Sequence, residues 1–218
     1  MSWLEPIRNY CERTGDLLWS EPLNAITNLS FLIAAWLLWK SYKAVSLKDR
    51  PVAIMIALVA IVGIGSSLFH TFANRLTMLA DVIPIALFTF FYLWHALRRL
   101  VGVSVYCTIG LLLVFVGLAV EMSHLPGEYR FNGSADYFPC LASLIAISIA
   151  LFIRKNPAAK YLLTAALCFV ISLTFRSMDF MVCGTLPIGT HFLWHTINGV
   201  MLYLLVSAFI RPRISPTK

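Results

Sequence analysis

Seven stretches nearly empty of charge recur along the chain, at 23–41, 51–72, 77–97, 101–121, 136–153, 160–178 and 187–210. Each is close to the roughly 20 residues that a helix needs to cross a bilayer. The clearest runs from Val101 to Val120 without one Asp, Glu, Lys, Arg or His. Charged side chains make up 12% of the 218 residues and apolar ones 60%, whereas a soluble domain carries about 25% charge. Disorder, a disulfide mini-protein and an ordinary soluble enzyme are excluded by that balance. The reading is an all-α polytopic membrane protein, a single seven-helix domain over 1–218, since only lipid solvates so much exposed apolar side chain. The loops are short and hold turn and helix-start residues, as in Lys48-Asp49-Arg50-Pro51 and Lys155-Asn156-Pro157.

The net charge of +7 would suggest nucleic acid in a soluble protein. Here it reports topology. With the N-terminus outside, Lys40, Lys43, Lys48, Arg50, Arg98, Arg99, Arg154, Lys155 and Lys160 all fall in cytoplasmic connections. A cytoplasmic tail at 211–218 adds Arg211, Arg213 and Lys218, giving 12 of the 17 basic residues. Basic residues concentrate on the cytoplasmic side of membrane proteins, so the expected orientation is N-out and C-in, with no nucleic-acid partner. Residues 1–22 contain Glu5, Glu12, Asp16 and Glu21 and no apolar run of signal-peptide type. They are expected to form an outer amphipathic segment over the mouth of the bundle.

Ionisable groups inside a span are costly, and each is a functional candidate by default. His70 lies near the outer end of the second span and Asp81 near the outer start of the third. His191 and His195 lie in the first turns of the seventh. Their four-residue separation places both on one helix face. Three helices therefore bring three imidazoles and a carboxylate to a similar depth. Three His ligands with a fourth position open is the donor set of catalytic zinc, which polarises a carbonyl and lowers the pKa of bound water to about 7. Ser66 sits one turn before His70 in a run of small residues, Gly63-Ile64-Gly65-Ser66-Ser67, that also suits a close helix–helix contact.

The ordered set Ser66-Ser67-Leu68-Phe69-His70, Asp81 and His191-Phe192-Leu193-Trp194-His195 resembles the alkaline ceramidases. These belong to a superfamily of seven-helix membrane hydrolases that includes adiponectin-receptor type proteins. The resemblance covers Glu12 to about Tyr203. It implies that His70, His191 and His195 bind zinc, that Asp81 orients or deprotonates the attacking water, and that Ser66 hydrogen-bonds the developing oxyanion. It further implies hydrolysis of the N-acyl amide of ceramide or a related lipid to fatty acid and free amine. The substrate would come laterally from the outer leaflet. A seven-helix receptor or scaffold with structural zinc, or a lipid esterase, are the competing readings. Short loops and a small tail favour an enzyme.

Some relatives bind calcium at the start of the first span, and Glu12, Glu21 and Asn24 are the matching candidates. The chain has Asn9 where that pattern has Asp, and Glu12 and Glu21 stand closer together than the pattern expects. Cys11 and Cys183 match family cysteines on the outer side, where an oxidising compartment would permit a disulfide. Cys107, Cys140 and Cys168 fall within spans as packing residues. Arg176 and Asp179 are expected to pair and order the rim of the site. The expected location is a bacterial inner membrane with the site facing the periplasm, or an endomembrane with a luminal site.

Overall fold

The computed structural model describes residues 3–45 and 48–210; the expected tail at 211–218 lies outside them. Eight α-helices follow in chain order: α1 (Pro22–Thr27), α2 (Leu29–Lys43), α3 (Arg50–Phe72), α4 (Arg75–His95), α5 (Val105–Ser123), α6 (Phe138–Ile153), α7 (Ala159–Val182) and α8 (His191–Ile210). A π-helical stretch, Ala96–Val101, prolongs α4. Counting α1 and α2 as one, seven helices are long and apolar enough to cross a membrane. The expected spans match them to within a few residues.

The division between α1 and α2 has a local cause. Asn28 Nδ2 and Thr27 Oγ1 both donate to the Asn24 carbonyl, at 2.9 and 3.1 Å. Side-chain donors of this kind compete with the backbone ladder and interrupt it. At the other end of the site, α3 stops at Ala73 in the left-handed region, with φ 41°. Asn74 then caps α4 in a reciprocal capping box with Thr77. Two residues thus reverse the chain, so His70 on α3 and Asp81 on α4 lie side by side.

Glycine allows those helices to touch. A Cβ on Gly65 would overlap the carbonyl of Ala80. Pro84, four residues on, has no N–H to return to that carbonyl, so it is free to lie against Gly65. α8 runs through the centre, packed on α2, α3 and α7. Leu38, Met55, Val59, Leu151, Leu162 and Val206 are fully buried in the half away from the site. α5 lies at the edge.

Candidate metal centre

His70, His191 and His195 are each 1% exposed, and one nitrogen from each lies within 4.8 Å of the others. Their ring centroids are 4.6 to 5.2 Å apart. His70 Nε2 and His191 Nδ1 are buried with no hydrogen-bond partner among the described residues. Unpaired buried polar atoms are costly, and two of them on rings that converge with His195 are what a cation would satisfy. The donor set of three imidazoles fits zinc in its catalytic form.

Groups behind the rings orient them, as is general for metal-binding histidines. His70 Nδ1 bonds Glu21 Oε2 at 2.5 Å, and His195 Nδ1 bonds the Thr27 hydroxyl at 3.1 Å. Glu21 is itself held by the buried Arg13 guanidinium and by Asn24 Nδ2 at 3.1 Å. Burial pushes the Glu21 carboxyl up, but bonds from His70, Arg13 and Asn24 outweigh it and hold the group below its usual range. Arg13 also donates to the His70 carbonyl at 3.0 Å, closing a ring of contacts around this ligand.

The residues expected to take calcium are engaged differently. Glu12 accepts from the backbone N–H groups of Leu23 and Asn24, at 2.7 and 2.8 Å, and so caps α1 from a distance. Both oxygens of Glu21 are taken by His70, Arg13 and Asn24. Calcium needs six or more oxygens. Asn24 Oδ1 has no partner among the described residues, but the oxygens of Glu12 and Glu21 are engaged, and Arg13 brings a positive charge to Glu21.

The start of α8 is set by Asp179. Its Oδ1 accepts from Thr190 N–H at 2.7 Å and His191 N–H at 3.0 Å, and its Oδ2 from Cys11 N–H at 3.0 Å. A carboxylate on the first N–H groups of a helix satisfies donors that would otherwise be orphaned and favours the positive end of the dipole. Gly189, at φ 64°, supplies the turn, and a Cβ there would meet both Asp179 and Cys11. The Arg176–Asp179 ion pair expected from sequence does not form. Asp179 turns to these N–H groups, and Arg176 NH1 donates instead to the Tyr10 hydroxyl at 3.2 Å. Cys11 and Cys183 are joined in a disulfide.

Asp81 and Ser66 share with His191 and His195 the lining of a polar chamber of about 120 Å³, which Tyr10 and Arg176 also border. Ser66 and Asp81 line the same chamber, and Asp81 Oδ1 has no hydrogen-bond partner among the described residues. Below it lies an apolar cavity of about 100 Å³, lined by residues such as Phe88, Leu144, Met201 and Leu205. Phe31, Val62, Ile85, Tyr137 and Trp194 border both spaces. The pair suits a molecule with one polar and one long apolar part.

With this geometry in view, comparison with known proteins is decisive on family. A family model described as ceramidase matches residues 8–216. The chain belongs to the ceramidase family. No curated protein matches it. Membership carries with it a hydrolase of amide bonds and a lipid substrate such as ceramide.

Among the ceramidase-family features here, sequence spacing missed Tyr10 and Arg13. Tyr10 is stacked on His191, with centroids 3.7 Å apart. Burial pushes its phenol up against the opposing pull of Arg176, so the O–H stays protonated. From the described part of the N-terminal segment, Tyr10 and Arg13 contact the candidate ligands directly and Glu21 bonds His70.

Proposed function

We propose that this protein is a zinc-dependent membrane amidohydrolase that cleaves the N-acyl amide of ceramide or a related lipid to fatty acid and free amine. One observation carries the reading: three buried histidines converge, two of them with unpartnered nitrogens, in the same site as the unpartnered Asp81 oxygen. Zinc held by His70, His191 and His195 would polarise the amide carbonyl and acidify water in the chamber. The chain's own residues do the rest. Glu21 and Thr27 fix the orientation of His70 and His195. Asp81 takes the proton from the attacking water and later returns one to the leaving amine. Ser66 donates its hydroxyl hydrogen to the carbonyl oxygen as charge develops on it, a role typically worth about 3–4 kcal/mol. The acyl chain lies through the collar of Phe31, Val62 and Trp194 into the apolar cavity.

The positive-inside pattern supports an N-out orientation, with the site on the outer face of a bacterial inner membrane. The disulfide agrees with an oxidising outer compartment. The test is mass spectrometry of defined lipids incubated with purified protein, paired with metal analysis. Wild type should hold one zinc and release fatty acid and sphingoid base. Asp81→Asn should keep its zinc and lose about 10²–10⁴-fold in turnover; His195→Ala should lose both. Full turnover by Asp81→Asn, or zinc-free active protein, would sink the mechanism.

A further inference from the structure

The polar chamber holds a cation that the chemistry above leaves unused. Arg176 reaches its wall from α7. The guanidinium carbon lies 5.8, 5.4 and 5.2 Å from the ring centres of Tyr10, Tyr137 and Trp194. These rings stabilise a desolvated guanidinium by cation–π attraction, but aromatic faces satisfy few of its five N–H donors. NH1 donates to the Tyr10 hydroxyl. Nε is buried with no hydrogen-bond partner, and no carboxylate forms a salt bridge with Arg176, among the described residues.

Tyr10 adds a second donor. Because its oxygen accepts from Arg176, its own O–H must point elsewhere, and no acceptor for it is found among the described residues. A guanidinium and a phenol with donors to spare thus border the chamber that Asp81, His191 and His195 also line. An always-charged, forked donor half-buried in an aromatic cage suits phosphate, sulfonate or carboxylate.

We infer that Arg176 and Tyr10 form a binding site for an acidic group on the amine-side headgroup of the lipid. The inference rests on the N-acyl hydrolase reading and narrows its substrate class to acidic N-acyl lipids. The headgroup is favoured over the acyl half by position. Tyr137 and Trp194, which cradle the guanidinium, also border the apolar cavity, so a chain passing into that cavity leaves its polar end beside Arg176. Asp81 repels an acid elsewhere in the chamber and so steers it to this wall.

The experiment compares ceramide with ceramide 1-phosphate of the same acyl chain, using the full-length protein in detergent micelles. Binding is read as thermal stabilisation of Asp81→Asn protein, which binds without turning over. Stabilisation should be greater for the phosphorylated lipid. Adding Arg176→Gln should remove that difference, Tyr10→Phe should reduce it, and Arg176→Lys should restore it in part. In Asp81-containing enzyme, Arg176→Gln should lower the ratio of kcat/KM for phosphorylated over neutral lipid by about tenfold or more. Equal binding of the two lipids, or an equal loss for both in Arg176→Gln, would overturn the inference and make Arg176 a counter-charge for Asp81. Stabilisation by free fatty acid that depends on Arg176 to the same degree would reassign the site to the product carboxylate. If phosphorylated lipid binds through Arg176 but neither lipid is cleaved, the hydrolase reading fails and the anion site stands.

Discussion

Two of the seven spans make opposite use of the bilayer. α5 carries no Asp, Glu, Lys, Arg or His up to Val120, yet only 11% of its most apolar window is buried in the protein. α8 carries His191, His195, Asn198 and Ser207, and 67% of its window is buried. A water-soluble bundle would reverse this, hiding the apolar helix and exposing the polar one. Lipid tails are as apolar as leucine, so Leu113 and Val114 gain little by turning inward. Imidazole and amide groups have no partner in hydrocarbon and must be enclosed. In this protein apolarity marks the rim, and polarity marks the centre.

The sharpest way to break that contrast is to unfasten the polar helix. Asp179→Ala removes the acceptor of three backbone N–H groups, two of them at the start of α8. Hydrogen bonds to a charged group contribute about 1.5–3 kcal/mol each, and losses rise when buried donors are left unmet. We expect a fall of about 3–5 kcal/mol in stability and, because His191 moves with the helix start, loss of the proposed metal. Thermal unfolding and metal content measure both. Retained zinc at wild-type stability would mean that α8 is held by packing alone.

A charge on the lipid face tests the other side of the comparison. Leu113 is 66% exposed near the middle of α5. Leu113→Lys should cost about 2.5–3.5 kcal/mol on insertion scales, seen as reduced membrane-integrated yield. Zinc content of the protein that does insert should be unchanged, since α5 touches neither chamber. Full insertion would mean that this face is covered.

Much of this contrast was legible in the chain, for reasons that differ by residue. The spans follow from apolar length, and the pair His191 and His195 from helical spacing. Depth brought His70 and Asp81 beside them, because antiparallel helices joined by a two-residue turn align their ends. Asp179 could be placed at the rim but not assigned its partners: the bond to Cys11 spans 168 positions, and no local periodicity encodes it. A spacing of three suggested a pair with Arg176, but the carboxylate accepts instead from backbone N–H groups at a helix start. Arg13 was hidden for a similar reason. Its value lies in Glu21 and His70, which only the folded N-terminal segment brings together.

The smallest effects come from glycine, and they separate the two helices most cleanly. On α8, a Cβ at Gly199 would come within 2.7 Å of the Ser30 side chain and 2.9 Å of its carbonyl carbon. Ser30 also donates to the His195 carbonyl at 2.9 Å, so the contact is locked from both sides. Gly199→Ala must therefore push α2 from α8 and should cost about 1–3 kcal/mol, as overpacking does. On α5, Gly117 has nothing within 4 Å of the same added carbon. There alanine meets only lipid, and its better helix propensity gives a gain of at most about 1 kcal/mol. Paired unfolding measurements on the two variants should differ in sign. If Gly117→Ala destabilises as much as Gly199→Ala, α5 is not a lipid-facing helix and the contrast between rim and centre collapses.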